Sequence, residues 1–447
     1  MKKYLLILFI ALIATESQGQ KEWTITDCIN YALEHHPSIG IEKQSVVISK
    51  QNYLEAIGAL LPSISAQMGA GLSFGNSRDY VTQAMTATNT FNNQYQVSAN
   101  LMLFDGLSTI HQLKMNRVNQ LRSLNKLQNS KDMLSYEVVE ACLNVAYFNE
   151  TIILAQSQLE ASQENQRKLE RMNDLGMVSI VELTEAKAKQ SEDKYFLTQQ
   201  ENLKKIAIIL LKEKLNYPID EDLLIKRLNE EYTVSITPES ASDIFVQAVE
   251  YLPQALMARN SVDAERMAFR SAKGSWYPRL SMNIGSSTNY FKYLNKEVEA
   301  DKKWSYSDQL KDNRGEFIQF NLSFPIFTGF SRTANIRRAK ASYTIARYEQ
   351  ENMFSKIYRD IEQTIADLNG QVDDYHQALD QVEAMFAAHQ MNVKKHKEGL
   401  IDPLQLSLSA NRLLQAQVAS LKSYHTYILK LKLYQYYKGI PYTDQNE

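Results

Sequence analysis

The sequence repeats itself, and this limits the fold more than any other feature. Asp27, Ala32, Glu34 and Pro37 recur 216 residues later as Asp243, Ala248, Glu250 and Pro253. The same offset carries Gly58 to Gly274, Pro62 to Pro278, Ser65 to Ser281 and Gly69 to Gly285. Further along, the offset becomes 223: Phe104 and Gly106 return as Phe327 and Gly329, Gly176 as Gly399, Leu183 as Leu406 and Pro218 as Pro441. The step falls between Gly69 and Phe104, so one loop is seven residues longer in the second copy. Many of these identities are Gly or Pro, which mark backbone geometry. The period is too long for a solenoid, so the chain reads as one unit of about 200 residues, duplicated.

Breakers are scarce. The 447 residues include 15 Gly and 9 Pro, well under the usual ~12% of a chain, which leaves room for very long helices. Residues 20–218 form the first repeat: a helix over 24–60, a β-hairpin over 62–104, a long helix over 107–173 and a helix over 180–215. An equatorial linker spans 219–241. Residues 242–441 repeat the order, with a helix over 242–275, a hairpin over 278–327, a long helix over 330–396 and a helix over 403–437; a tail, 442–447, follows. At 1.5 Å per residue, each long helix would reach roughly 100 Å. A tube or a coiled-coil stalk needs that geometry. The apolar series Ile361, Ile365, Leu368, Val372, Tyr375, Leu379, Val382, Phe386, His389, Val393 alternates steps of four and three, the heptad period of coiled-coil packing. Val138, Ala141, Val145, Phe148, Ile152, Ala155 and Leu159 do the same in the first copy.

The hairpins alternate with period two. Ile64, Ala66, Met68, Ala70, Leu72 and Phe74 share one face, and Ser63, Ser65, Gln67, Gly69, Gly71 and Ser73 the other. Tyr95, Val97, Ala99, Leu101 and Leu103 oppose Gln94, Gln96, Ser98 and Asn100. In the second copy Leu280, Met282 and Ile284 oppose Ser281, Asn283 and Gly285, and Ile318, Phe320, Leu322, Phe324 and Ile326 oppose Gln319, Asn321 and Ser323. An almost uncharged alternation of this length suits a transmembrane β-strand. The hairpin loops, Asn76–Asn92 and Phe291–Glu316, are long and polar, and the second carries Glu297, Glu299, Asp301, Lys302 and Lys303. Four strands cannot close a barrel, and an open edge in lipid leaves backbone groups unpaired at several kcal/mol each. The sheet must therefore be shared between copies of the chain, around a cyclic axis.

Other classes are excluded or disfavoured. With 49 basic against 51 acidic residues, the chain has no basic field for nucleic acid. Its long apolar run, Tyr4–Ala14, follows Lys2 and Lys3 and precedes Ser17-Gln18-Gly19, which reads as a signal peptide over 1–19. Cys28 and Cys142 lie far apart in sequence and are expected as buried free thiols. His35 and His36 are adjacent on a helix and point apart; His389 and His396 read as seam residues near a wet tip. Gly71–Gly75 matches G-x-S-x-G, but a nucleophile elbow needs a strand-to-helix turn at its Ser, and the alternation runs straight through Ser73. No catalytic set, cofactor motif or metal set is expected, so the chain reads as a non-enzyme.

Three pairs of short motifs, in this order and spacing, resemble the TolC outer-membrane efflux protein family over essentially the whole mature chain. They are Leu61-Pro62-Ser63-Ile64-Ser65 with Tyr277-Pro278-Arg279-Leu280-Ser281, Phe104-Asp105-Gly106 with Phe327-Thr328-Gly329, and the turns Leu175-Gly176-Met177-Val178 with Glu398-Gly399-Leu400-Ile401. The resemblance implies an α+β fold: a long-helix coiled-coil α-barrel continuous with a transmembrane β-barrel, built from two internal repeats and closed by trimerisation. It implies a homotrimer in the outer membrane with its helices in the periplasm, acting with a periplasmic adaptor and an inner-membrane pump to export small molecules. A type I protein-secretion outlet and a non-conducting periplasmic stalk or adhesin are the alternatives. Leu175, Gly176, Met177, Val178, Gly399, Leu400 and Ile401 would then form adaptor-docking tips, since exposed apolar groups at helix-hairpin ends suggest a partner surface. Some family members carry acidic residues six and nine positions after the tip Gly. Glu182 and Glu185 hold those positions in the first copy, but Gln405 and Leu408 hold them in the second. A constriction of Glu182, Glu185 and Gln405 would favour cations.

Overall fold

A computed structural model describes residues 22–78, 83–226, 239–294 and 305–445. The expected signal peptide, Glu297, Glu299, Asp301, Lys302 and Lys303, and parts of the equatorial linker and the tail lie outside the described residues. The chain divides into two compact units, one of residues 1–44, 125–256 and 352–447, the other of residues 45–124 and 257–351.

The first unit is helical. A two-residue strand β1 (Glu22–Trp23) pairs in parallel with β4 (Leu224–Ile225). Helix α1 (Ile25–His35) starts at a capping box: Asp27 N–H donates to Thr24 Oγ1 at 3.0 Å, and Thr24 N–H to the Asp27 carboxylate at 3.1 Å. The expected single helix over 24–60 is broken. His36 is extended, with ψ 128°, and α2 (Pro37–Gly58) begins at the proline. The same break separates α5 (Ala241–Tyr251) from α6 (Pro253–Gly274), with Leu252 at ψ 126°. A proline ring clashes with a helical residue before it, so both breaks fall where the sequence places Pro. The long helix α3 (Ser108–Asp174) and α8 (Ser331–Lys397) have 67 residues each; α4 (Ile180–Leu215) and α9 (Pro403–Tyr437) follow them in chain order.

Cys28, Ile29, Val138, Val139, Leu211, Leu215, Ile244, Ile361, Leu368, Tyr427 and Ile428 form the core of this unit. Cys28 and Cys142 are both buried, and neither is in a disulfide. Helix α3 contains a stretch apolar enough to cross a membrane by length and composition, but Val138, Val139, Cys142, Leu143 and Val145 spend that apolarity inside the protein core. The chain end is tied down by aromatics. The Tyr436 ring stacks on Tyr442 with centroids 5.0 Å apart, and its hydroxyl donates to Asp132 at 3.0 Å. Burial pushes the Tyr436 hydroxyl and the Asp132 carboxyl above their ordinary ranges.

The second unit carries a four-stranded antiparallel sheet in the order β2 (Ser63–Arg78), β3 (Met85–Phe104), β5 (Arg279–Tyr293), β6 (Gly315–Ser323). Gln67 pairs with Gln96 and, 216 and 223 residues on, Asn283 pairs with Gln319. Ser65 with Ser98 and Ser281 with Asn321 obey the same offsets. Between the hairpins, β3 joins β5 with Val97 opposite Ser286 and Ala99 opposite Ile284. Ile64, Met68, Ile318 and Phe320 on the apolar face are 75%, 77%, 67% and 63% exposed. Among the described residues nothing in this unit covers them, unlike the inner face of a soluble sheet.

The charged loop after β5 contains a helix that the sequence did not suggest, α7 (Tyr306–Asp312), begun by a capping box from Ser305 to Asp308. It lies against the apolar face. The Tyr306 and Tyr95 hydroxyls are 2.7 Å apart, Asn93 Nδ2 donates to Tyr306 at 3.1 Å, and Thr288 Oγ1 donates to the Leu310 carbonyl at 2.6 Å. Tyr95, Tyr290 and Tyr306 thereby cluster at one level of the strands.

Where the sheet meets α3, two glycines allow backbones to touch. A Cβ on Gly106, at φ +72°, would lie 2.3 Å from the Gly274 carbonyl. The Ser108 and Ser271 hydroxyls meet one turn away at 2.7 Å. Gly106→Ala therefore combines a left-handed backbone, about 1–2 kcal/mol for an L-residue, with a backbone clash. It is expected to lower the thermal midpoint of the purified protein measurably, while Gly69→Ala, with open space around it, changes it little.

Candidate functional site

The two helix hairpins of the first unit turn by one chemistry. Gly176 and Gly399 take φ +71° and +72°. Met177 N–H reaches back to the Met172 carbonyl at 2.8 Å, and Leu400 N–H to that of Lys395 at 2.9 Å, closing Schellman turns on the ends of α3 and α8. Asn173 Nδ2 donates to the Val178 carbonyl at 3.0 Å. His396 occupies the matching position, its Nδ1 3.3 Å from the Ile401 carbonyl. That gives His396 a place in the turn. The next helices start at once: Ser179 caps α4 through Glu182 N–H, and Asp402 caps α9 through Gln405 N–H at 2.7 Å, with Pro403 at its first position. A rigid glycine turn between two caps holds each tip without a long loop.

The turn residues have different fates. Leu175, Met177 and Leu400 stand 74%, 66% and 68% exposed. Gly176 and Gly399 are exposed, and Ile401 is half-buried. Val178 instead turns inward and packs on Leu169, Leu183 and Ala186, stapling α3 to α4. Ile180, Val181, Leu404 and Leu408 are also exposed and enlarge the apolar tips beyond the turn motifs. They lie within the first two helical turns after the caps, beyond the turn motifs themselves.

Of the expected constriction residues, Glu182 is half-buried in the first turn of α4, and Glu185 and Gln405 are exposed. No hydrogen bond or ion pair joins these three within one chain among the described residues. Glu185 instead lines a cavity of about 420 Å³ where α3, α4, α8 and α9 converge, together with Lys189, Glu192, His389 and Ser407. Ser409 spends its hydroxyl proton on the Leu406 carbonyl at 2.7 Å. It must therefore accept from His389 Nδ1 at 2.9 Å, which fixes the tautomer. Burial pushes the His389 imidazole below its ordinary pKa.

A polar clamp beside this cavity joins the two hairpins. Lys189 Nζ lies 2.7 Å from Asp193 and 3.3 Å from Glu192, and it also reaches Asn411 Oδ1 on α9. Asn411 Nδ2 returns to Glu192 at 3.4 Å. Asp193 is 3% exposed, so its charge depends on Lys189. The sequence hid this clamp because i, i+3 and i, i+4 charge pairs usually decorate solvated helix faces.

Over residues 28–212 the chain matches the family model of the outer membrane efflux proteins. It is 21% identical to the outer membrane efflux protein BepC of Brucella suis biovar 1 (strain 1330) over 429 residues, covering 96% of this chain and 88% of that protein. Its fold is similar to that of the outer-membrane channel OprN, with a TM-score of 0.79 at 16% identity, covering 94% of this chain and 90% of that one. It is also similar to the outer membrane protein VceC from Vibrio cholerae, with a TM-score of 0.77 at 14% identity, covering 93% and 96%. The architecture is thus the α+β channel-tunnel fold that those structures share.

Two outcomes follow for the clamp and the histidine. Lys189→Met strands the Asp193 charge and is expected to cost about 3 kcal/mol, seen as a lower thermal midpoint; adding Asp193→Leu should restore part of the loss. His389 has a folded pKa below its unfolded value, so the unfolded chain binds the proton first. Stability should fall as pH drops below about 6.5, and His389→Gln should flatten that part of the midpoint–pH curve. The sequence match over residues 28–212 and the shared fold together make the chain similar to the outer membrane efflux proteins.

Proposed function

We propose that this outer-membrane efflux channel is the exit duct of a tripartite export system, assembled as a homotrimer. The single observation that carries the reading is the sheet of four strands, apolar and exposed on one face, polar on the other, and, among the described residues, with no strand paired to either edge. Such a sheet is stable in lipid only when closed. Three copies supply twelve strands, whose apolar faces meet the outer-membrane lipid and whose Gln67, Gln96, Asn283 and Gln319 face a water-filled lumen. The Tyr95–Tyr290–Tyr306 cluster suits an interfacial aromatic girdle. In this reading the helical unit carries the duct through the periplasm. The conduit is passive and not an enzyme; energy comes from an inner-membrane pump. A periplasmic adaptor docks on the exposed apolar tips around Leu175, Gly176, Met177, Gly399, Leu400 and Ile401, with Val178 bracing the first tip from within.

The narrow end is assigned to rings of Glu182 and Glu185 from three copies, with neutral Gln405 beside them. Like charges gathered there attract cations. In planar bilayers the trimer should conduct with a preference for cations. Glu182→Ala combined with Glu185→Ala should reduce the cation-to-anion permeability ratio several-fold, and unchanged selectivity would remove these residues from the constriction. Leu175→Asp with Leu400→Asp should leave conductance intact while abolishing adaptor cross-linking and restoring drug sensitivity to the host strain. Retained export by that variant would place the docking surface elsewhere.

A further inference from the structure

The internal repeat does more than describe one chain; it specifies how the next copy attaches. This inference rests on the trimeric reading above and adds the register to it. Within the chain, the second strand of the first hairpin, β3, pairs with the first strand of the second, β5. In a closed ring the second strand of the second hairpin, β6, meets the first strand of the first hairpin, β2, of the next copy. Two offsets relate these strands. Residues of β5 lie 216 after their counterparts in β2, and residues of β6 lie 223 after theirs in β3. The two hairpins already obey both offsets in their own pairing, since Gln67–Gln96 maps onto Asn283–Gln319.

We propose that β6 pairs with β2 of the next copy in the register that these offsets carry over from the β3–β5 junction. Asn100–Asn283 becomes Ser323 opposite Gln67 of the next copy; Ala99–Ile284 becomes Leu322 opposite Met68; Val97–Ser286 becomes Phe320 opposite Ala70. The side-chain faces agree. Leu322, Met68, Phe320 and Ala70 all fall on the apolar face, and Ser323 and Gln67 both on the polar one, whereas a one-residue slip would set apolar against polar throughout. Leu322 and Met68 are 53% and 77% exposed on the free edges of the lone chain.

A second contact, away from the strands, follows from the same mapping. Gly274 and Gly106 touch in the chain: a Cβ on Gly274 would lie 2.9 Å from the Gly106 carbonyl and 3.1 Å from Ser108 Cβ. Their counterparts, Gly58 and Gly329, have nothing within 4 Å, although Gly329 and Phe330 keep the positive φ of Gly106 and Leu107. Gly58 therefore sits against Gly329 and Ser331 of the next copy. Its lack of a side chain, unused in the single subunit, serves the junction between subunits.

Cysteine pairs test this. The edge strands of one chain are separated by two strands, about 14 Å, beyond disulfide reach, so a bond between them has to join copies. The native Cys28 and Cys142 are buried, and the single-cysteine variants serve as blanks. Under mild oxidation in the membrane, Ser323→Cys with Gln67→Cys should give a covalent three-chain species on a non-reducing gel. Ser323→Cys with Ser65→Cys, two residues out of register, should give none. Linkage by the second pair alone, or by neither in a protein of three-copy mass by light scattering, would overturn the register and leave the trimer standing. Linkage by neither in a protein of single-copy mass would overturn both. Independently, Gly58→Leu should abolish the assembled trimer, while Gly40→Leu, whose counterpart is Leu256 and which also has nothing within 4 Å, should assemble normally. Normal assembly of Gly58→Leu would remove the glycine contact.

Discussion

The constraint behind everything else is the hydrogen bonding of a sheet edge in oil. Each strand backbone offers an N–H and a C=O at every residue, and in hydrocarbon no water takes up the ones left over. Among the described residues the sheet of the second unit has four strands, with β2 and β6 on the outside. Its apolar face stays bare at Ile64, Met68, Leu72, Ile318 and Phe320, so the sheet has not been designed to pack on a soluble core. A sheet with lipid on one side, water on the other and two open edges is complete only as part of a ring. One joint is made inside the chain, between β3 and β5; in the trimer proposed above, the other is made between chains.

The rest of the structure shows how few backbone devices long helices require. Prolines 37 and 253 bend the leading helices by denying a helical conformation to the residue before them. Glycines 176 and 399 reverse the chain at the tips by accepting positive φ. Gly106 and Gly274 let two backbones touch where no side chain fits. Between these points the helices are held by packing, with a core running through Ile29, Val138, Leu211, Ile361 and Ile428. The clamp of Lys189, Asp193 and Asn411 adds a polar fastening between hairpins near their ends. A buried ion pair is a poor source of net stability but a strong penalty when broken, which suits a joint that must hold one arrangement.

Much of this was legible from the residues alone, for physical reasons. Period-two alternation from Ser63 to Phe74 is visible because side chains on a strand alternate strictly; of the 4–3 series from Ile361 to Val393, Ile361 and Leu368 are buried as a seam requires, while Leu379 and Phe386 stand exposed in the single chain. The tips were legible through glycine. What stayed hidden depends on contacts distant in sequence. Tyr306 meets Tyr95 across 211 positions, and the one mark of the short helix that presents it, the Ser305–Asp308 capping pair, sits in a polar run that reads as loop. Lys189 and Asn411 lie 222 residues apart, and each reads as an ordinary surface residue. Glu182 and Glu185 are picked out by their position after the tip, and among the described residues no hydrogen bond or ion pair joins them to each other or to Gln405 within one chain; the proposed ring would be a property of the assembly.

The most direct test of closure is amide hydrogen exchange in the protein held in lipid, read strand by strand. If the sheet is closed by neighbouring copies, the amides of β2 and β6 exchange as slowly as those of β3 and β5, because every edge group has a partner. If β2 and β6 exchange orders of magnitude faster than the two inner strands, the edges are open and the closed, shared sheet is contradicted.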